Sequence, residues 1–404
     1  MLQMTLDLLR CPYCASSDAL AVAEAEWRLV DYQDGARREM VSGRLVCPGC
    51  GAAFPVADYV PSFAAALPQD VRADADYWGR YYAGEAAKGN HTYMEPRLAR
   101  AGRAAAAYDP EAFILRHPLL KERGRCLDLG CGSGWTTLML GREGFAALGL
   151  EPALGSVVVA KRYAMEQGTP VDYVCGAPGY VHFAAGAMDA VFAFHSLHHV
   201  PDLLDVMPQI TGWLKTGGVL AVDEHVQSRP QYWELAGLIG SQLGVPKSPP
   251  STGAEPSANE DCSQAAVLPA IATHLHVADL KFRHVAFDGV ADWASGGEAP
   301  SDAVLDLARG LSNAVAEWRP GDVEYATVLA IKGAQPPGAE DRRALEAKVP
   351  APLWPLFDCG RATGSVGGHT WGARLRRAYR LLLARGPKAL LREAAGYWHW
   401  RLGQ

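Results

Sequence analysis

The chain has 404 residues, of which 49% are hydrophobic and 20% are charged, and its formal net charge at pH 7 is −6. A chain of this length and composition can bury a large apolar core and form more than one domain. No apolar run approaches the ~20 residues that a membrane-spanning helix needs, so we expect a cytoplasmic protein without such a helix.

Two C-x-x-C knuckles lie near the start of the chain, at Cys11-Pro12-Tyr13-Cys14 and Cys47-Pro48-Gly49-Cys50. Four cysteine thiolates suit tetrahedral zinc, and because they fill all four positions the metal would be structural and not catalytic. The alternative is a pair of disulfides. We see no secretory signal, and the other five cysteines are scattered, so the sequence favours zinc.

An aromatic-rich stretch follows the knuckles. It contains Tyr77-Trp78-Gly79-Arg80-Tyr81-Tyr82 and, further on, His91-Thr92-Tyr93. Aromatic faces can shield a cation and shape an acceptor pocket, whereas the structural alternative is a helix packed against a sheet edge. We predict a helical lid or linker in this part of the chain.

The most informative segment is Leu127-Asp128-Leu129-Gly130-Cys131-Gly132-Ser133-Gly134-Trp135. It reads as a buried strand that enters a glycine-rich turn and opens a helix, which brings backbone amides close to a ligand. A dinucleotide loop has the spacing G-x-G-x-x-G, whereas an acidic residue just ahead of G-x-G-x-G indicates adenosylmethionine. About 20 residues later the next strand ends in Glu151, where a carboxylate can accept hydrogen bonds from both ribose hydroxyls.

Strands and helices alternate after this loop. The predicted elements are a helix over Ala153 to Gln167, strands over Val171 to Cys175 and Met188 to Phe194, a helix to Leu214, a turn at Lys215 to Gly218, and strands over Val219 to Val222 and Tyr325 to Ile331. This alternation of apolar strands with helices predicts a doubly wound, mostly parallel α/β sheet.

Residues 124–332 resemble the class I S-adenosylmethionine-dependent methyltransferases. The glycine loop, the acidic end of the second strand, the fourth strand with its LHHVPD continuation and the LKTGGVL turn carry the resemblance. It implies a seven-stranded Rossmann-like methyltransferase sheet that binds S-adenosylmethionine. The cofactor-binding residues that it implies are Asp128, Gly130, Cys131, Gly132, Gly134, Glu151, Pro152, Gly176, Ala177 and Phe194. Many relatives carry an acidic residue after the third strand, where this chain has Cys175-Gly176-Ala177-Pro178, so backbone and apolar contacts would hold the adenine.

The N-terminal module resembles the small zinc-ribbon family that activates methyltransferases. Leu6 to Cys14, Gly43 to Cys47 and the closing segment Phe54 to Pro61 carry this resemblance. It implies that a ribbon with the zinc ligands Cys11, Cys14, Cys47 and Cys50 stabilises or positions the domain fused to it.

Histidines follow the fourth and fifth predicted strands. The candidate catalytic residues are His195, His198, His199, His225 and Glu224, with Asp223 beside them. Carboxyl ends of parallel strands surround the ligand crevice, and a neutral imidazole can take a proton from a hydroxyl near neutral pH. His195 is the first choice, whereas His198 and His199 have the structural alternative of packing at a helix start. Asp223 and Glu224 have the alternative of capping the next loop.

The end of the chain is basic. Residues 371–404 have a net charge of +7, which leaves −13 for the rest. Leucines at helical spacing predict a terminal helix that packs on an acidic surface of the same protein, with peripheral contact to an anionic membrane or to phosphate as the alternative. We expect the segment after Gln335-Pro336-Pro337-Gly338 to lie outside the core, and the proline-rich segment 246–256 to form a mobile lid.

The sequence thus predicts a zinc ribbon in residues 1–63, a helical lid or linker in 64–123, a methyltransferase domain in 124–333 and a helical, basic extension in 334–404. The predicted function is methyl transfer from S-adenosylmethionine to an oxygen of a small or carrier-linked molecule, such as a sugar or natural product. RNA methylation is the main alternative, although the acidic body disfavours nucleic acid. A non-catalytic partner protein and chemistry other than methyl transfer are the further alternatives.

Overall fold

A computed structural model describes residues 1–14, 17–87, 114–227, 263–283, 321 and 323–357. The strands, in chain order, are β1 (Leu9–Arg10), β2 (Ala21–Tyr32), β3 (Gly35–Val46), β4 (Ala53–Ala57), β5 (Val60–Pro61), β6 (Arg125–Leu129), β7 (Ala146–Glu151), β8 (Asp172–Cys175), β9 (His182–Phe183), β10 (Met188–Phe194), β11 (Leu214–His225), β12 (His276–Arg283) and β13 (Tyr325–Ile331). The α-helices are α1 (Gln3–Leu6), α2 (Gln69–Ala87), α3 (Trp135–Arg142), α4 (Leu154–Glu166), α5 (Leu203–Trp213), α6 (Val267–His274) and α7 (Ala339–Lys348). Residues 91–93, 246–256 and 371–404, which carry sequence predictions, lie outside the described ranges.

The main sheet has seven strands in the order β12-β13-β11-β10-β6-β7-β8. Strands β11, β10, β6, β7 and β8 pair in parallel, whereas β13 is antiparallel to both of its neighbours. The central strands are almost wholly apolar because helices cover both faces of a parallel sheet. This arrangement confirms the predicted doubly wound, mostly parallel fold. In the described ranges, no helix is long and apolar enough to cross a bilayer.

The predicted turn at Lys215 to Gly218 is a bulge inside β11. The pairing with β10 jumps from Met188 opposite Leu214 to Ala190 opposite Val219, so extra residues loop out of the strand. Gly217 has a φ of +81°, a conformation that glycine adopts without strain. Two backbone hydrogen bonds with Lys332 hold the bulge, so the strand continues through a segment that reads as a turn.

The N-terminal module is a ribbon of four antiparallel strands in the order β2-β3-β4-β5. Its strand β1 pairs with β9 of the larger domain, with Leu9 opposite Phe183. After β5, Ser62 forms a bridge with Cys175, and the Phe63 amide donates to the Cys175 carbonyl over 2.8 Å. Backbone pairing therefore joins the ribbon to the carboxyl end of β8 in the main sheet.

A buried charge cluster lies at the same interface. Lys161 of α4 is fully buried, and its Nζ lies 2.8 Å from Glu39 Oε2 of β3 and 2.8 Å from Asp172 Oδ1 of β8. Asp172 also accepts a 2.6 Å hydrogen bond from the Thr5 hydroxyl of α1. One lysine thus compensates a carboxylate from each of the two modules.

The segment after Gln335-Pro336-Pro337-Gly338 was expected outside the core, and for residues 349–357 this expectation is wrong, whereas α7 buries none of its residues. Val349 and Leu353 are buried together with Val323, and Leu356 and Phe357 pack against the main core. Strand β13 ends at Ile331, before the prolines, and the apolar side chains after α7 turn back onto the core because burying them removes apolar surface from water.

Candidate functional site

The glycine loop between β6 and α3 is closed on both sides by other parts of the chain. Gly130, Gly132 and Gly134 all have positive φ, and all three are closely approached by side chains. A Cβ on Gly132 would lie 2.5 Å from the Tyr82 hydroxyl oxygen of α2, and one on Gly130 would lie 2.4 Å from Ser196 Cβ. Any larger side chain would collide with these atoms, so the glycines let α2 and the segment after β10 pack closely against the loop.

Two buried carboxylates flank the loop. Asp128 Oδ2 accepts a 2.6 Å hydrogen bond from the Thr137 hydroxyl, and Glu151 accepts 3.1 Å hydrogen bonds from the amides of Gly132 and Ala153. The pKa of Asp128 is raised to about 7, mainly by burial and in part by the nearby Glu151, against the opposing effect of the Thr137 hydroxyl. Burial likewise raises the pKa of Glu151 to about 7. A cationic or hydroxyl-bearing ligand would stabilise the ionised form of these carboxyls.

The other predicted cofactor residues lie at the same edge of the sheet. Cys131 is buried in the loop, Pro152 follows β7, and Phe194 ends β10. Gly176 follows β8 and its amide donates to the Glu151 carbonyl over 2.9 Å, with buried Ala177 after it. The fold therefore brings all ten of these residues to one crevice, although contact with a cofactor stays a prediction.

His195 directly follows β10, at the carboxyl end of that strand. Its side chain is 44% exposed, and Nε2 lies 3.4 Å from Oδ2 of fully buried Asp223. Asp223 in turn accepts a 2.6 Å hydrogen bond from the Thr327 hydroxyl. His195 has a φ of +52°, an uncommon conformation for a residue with a Cβ and one that clusters at functional sites.

His198 and Glu224 form a second histidine–carboxylate pair, from the same two segments as the His195–Asp223 pair. His198 Nδ1 is 2.5 Å from Glu224 Oε2, and Glu224 Oε1 also accepts hydrogen bonds from the amides of Ser196 and Leu197. Burial raises the pKa of Glu224 to about 7, against the opposing effect of the two amides. Glu224 at the end of β11 therefore fixes the segment after β10 that holds His195.

Ring side chains connect these histidines with the predicted lid. Trp78 of α2 contacts His199 edge to face at 5.7 Å, and His225 contacts Tyr325 at 4.1 Å between ring centroids. The aromatic stretch thus contacts the segment after β10, and its role as a lid over an acceptor pocket stays a prediction. The sequence does not predict the contacts of Tyr325, Thr327 and Thr137. Tyr325 begins β13, Thr327 lies within the same strand and Thr137 lies inside α3, and none of the three belongs to a local motif.

The four knuckle sulfurs converge in the ribbon, within 4.8 Å of one another. Cys11 Sγ lies 3.6 Å from Cys50 Sγ, and Cys14 Sγ lies 3.4 Å from Cys47 Sγ, and all four cysteines are free thiols. Tetrahedral zinc at the usual Zn–S distance holds its sulfurs ~3.8 Å apart, so this donor set fits zinc. The disulfide alternative does not fit these separations.

Comparisons with known proteins agree with both modules. Residues 127–222 match the family described as "Methyltransferase domain", and residues 3–58 match the family described as "Trm112p-like protein". The chain therefore carries a methyltransferase domain, whose fold takes S-adenosylmethionine as cofactor, and a Trm112p-like zinc ribbon, as the sequence resemblances implied.

Similar curated proteins are named "Ubiquinone biosynthesis O-methyltransferase". The one from Paramagnetospirillum magneticum is 32% identical over 38% of this chain and 59% of its own length. The one from Chromobacterium violaceum is 35% identical over 26% of this chain and 46% of its own length. The chain thus spans about half the length of these relatives. Among solved structures, StiE O-MT is similar with 19% identity, covering 64% of this chain and 86% of that one at a TM-score of 0.40.

Proposed function

We propose that the chain is an S-adenosylmethionine-dependent methyltransferase that acts on a hydroxyl oxygen of a small or carrier-linked molecule. The observation that carries the proposal is the His195–Asp223 pair, which lies at the same sheet edge as the glycine loop and its two carboxylates. The names of the similar curated proteins support an oxygen acceptor.

The crevice offers a contact for each part of the cofactor. The backbone of the glycine loop would hold the amino-acid portion beside Asp128, and Glu151 would accept hydrogen bonds from the ribose hydroxyls. Gly176, Ala177 and Pro152 would form the apolar rim around adenine, with Phe194 beside the transfer site. The bound cofactor supplies an electrophilic methyl group on a sulfonium.

His195 is the proposed catalytic base. Its Nε2 faces Asp223, which places the proton of the neutral ring on Nε2 and makes Nδ1 the proton acceptor. Asp223 is a positioning residue, because it orients the ring and stabilises the imidazolium that forms. His198 and Glu224 are positioning residues as well, since they hold the backbone of Ser196 and Leu197 beside His195.

We expect His195→Ala to lower kcat for a hydroxyl acceptor by about 10²–10⁴-fold, because a positioned base contributes this much to proton transfer. The wild-type rate should fall at acidic pH, where a protonated base no longer accepts the hydroxyl proton, and the variant should lack this pH-dependent limb. Both are measured from S-adenosylhomocysteine formation between pH 5.5 and 9.

His276→Ala is the matched control, since His276 lies on the edge strand β12 and pairs with Asp341 far along the sheet from the crevice. This variant should keep the wild-type rate and pH profile. The S-adenosylmethionine affinity of both variants should equal that of the wild type. A wild-type rate for His195→Ala would contradict the assignment of the base.

The ribbon should hold one zinc per chain. Cys47→Ser should abolish zinc binding and lower the melting temperature of the whole protein, because the ribbon supplies strand partners to β8 and β9. Zinc content by elemental analysis and unfolding by circular dichroism measure these effects. Cys126→Ala, in the main sheet, should keep its zinc. A zinc-free protein with unchanged stability would contradict a structural role.

A further inference from the structure

Helix α2 crosses the carboxyl ends of four parallel strands of the main sheet. From its start to its end, it packs against residues that follow β8, β10, β7 and β6. The neighbouring pairs are Val71 with Ala177, Trp78 with His199, Gly79 with Ala153 and Tyr82 with Gly132. The helix therefore lies at the edge of the sheet where the predicted cofactor residues meet.

Asp74 lies on the face of α2 that makes these contacts. It is three residues after Val71 and four before Trp78, so the three side chains lie on one side of the helix. Asp74 is only 8% exposed, and its neighbours Val71 and Ala75 are buried as well. Aspartate is mostly exposed in proteins, and a buried carboxylate at a ligand crevice is a candidate for ligand recognition.

Asp74 is also close to the carboxylate that is proposed to bind ribose. Burial is the main cause that raises the pKa of Glu151, and the negative charge of Asp74 raises it as well. Three residues before Asp74, Val71 is buried together with Ala177 of the proposed adenine rim. Asp74 thus lies where the ribose and adenine parts of the site meet.

The proposed adenine rim offers apolar contacts but no charged acceptor. The segment after β8 reads Cys175-Gly176-Ala177-Pro178 and contributes no carboxylate. S-adenosylmethionine has three kinds of hydrogen-bond donor, which are the ribose hydroxyls, the ammonium group and the adenine amino group. Glu151 is the proposed acceptor for the hydroxyls, and the glycine loop beside Asp128 would hold the ammonium group. The amino group requires an acceptor of its own, because a buried donor without one costs free energy.

We propose that Asp74 accepts a hydrogen bond from the adenine amino group and makes the site specific for adenosyl cofactors. The proposal rests on the proposed function, because it assigns a specificity-determining residue to the same cofactor site. A hydrogen bond to a charged acceptor contributes roughly 10–100-fold in affinity. A purine without the amino group would leave the carboxylate of Asp74 buried without this donor.

The test compares two ligands that differ only at the amino group. One is S-adenosylhomocysteine, and the other is its purine riboside analogue, in which a hydrogen atom replaces the amino group. In calorimetric titrations of the full-length protein at pH 8, the wild type should bind S-adenosylhomocysteine roughly 10–100-fold more tightly than the analogue. Asp74→Ala should lose this preference and bind the two ligands within about threefold of each other.

The ratio of the two affinities separates this contact from an indirect effect on Glu151. Removing the charge of Asp74 makes Glu151 easier to ionise, but both ligands carry the ribose, so both affinities change alike. Glu151→Gln should therefore weaken both ligands and keep their ratio. Asp76→Ala is the matched control, since Asp76 is exposed on the same helix and should keep both affinities.

The outcomes distinguish this inference from the proposed function. Asp74→Asn keeps the shape of the side chain and provides the test if the alanine variant does not fold; its preference should fall at least ~threefold, because a neutral acceptor forms a weaker hydrogen bond. An unchanged ratio in a folded Asp74 variant, or a wild type without a preference, overturns the inference and leaves the proposed function in place. Absence of S-adenosylhomocysteine binding to the wild type removes the proposed function itself, and the inference with it.

Discussion

Replacing Lys161 with methionine should lower the free energy of unfolding by about 3–5 kcal/mol, because it leaves buried charge without its partner. Burial alone lowers the pKa of this lysine, yet Asp172 and Glu39 hold its pKa above the ordinary value. The amino group of Met1 also lies 2.8 Å from Glu39 Oε2 and interacts with Asp172, but one cation cannot balance two carboxylates. Urea unfolding, followed by circular dichroism, measures the loss.

Arg162→Met is the matched control, since it lies one residue further along α4 and also forms an ion pair with the ribbon. Its contact with Asp58, at 2.7 Å, is between side chains that are 59% and 52% exposed. Exposed ion pairs contribute little, so this variant should lose less than about 1 kcal/mol. Equal losses in the two variants would show that the buried cluster does not hold the ribbon on the larger domain.

The sequence predicts the fold well where a motif is local. The strand, glycine turn and helix around Gly130 follow from neighbouring residues, and the two knuckles follow from the spacing of four cysteines. Lys161 has no such signal, since a lysine in an amphipathic helix is usually solvated. Its partner Glu39 lies 122 residues away along the chain, and only the assembled interface brings the two together.

The residues of the candidate site also differ in whether a local sequence pattern predicts them. His195 and His198 follow an apolar strand, and the rule that ligands bind at the carboxyl ends of parallel strands places them in the crevice. Tyr325 and Trp78 belong to it only because β13 runs antiparallel beside β11 and because α2 crosses the glycine loop. Their roles depend on tertiary packing, which periodicity within one segment does not encode.

Glu151→Gln should weaken S-adenosylmethionine binding by roughly 100-fold. A neutral amide keeps the shape of the side chain, but its nitrogen is a donor and cannot accept a hydrogen bond from a ribose hydroxyl, and hydrogen bonds to charged groups are the strong ones. Calorimetric titration of the purified protein measures the affinity. Glu143→Gln is the control, because Glu143 is half-exposed just after α3 and should leave the affinity unchanged.

The same carboxylates make cofactor affinity depend on pH. Burial raises the pKa of both Glu151 and Asp128 to about 7 in the free protein, so each is largely protonated at pH 6. If the ligand binds the ionised form, each carboxyl must lose its proton on binding below pH 7, and affinity should fall roughly tenfold per group between pH 8 and pH 6. Glu151→Gln should remove one of these two contributions, and Asp128→Asn the other. Affinity that rises as the pH falls, or a slope unchanged in both variants, would show that neither carboxylate faces the cofactor.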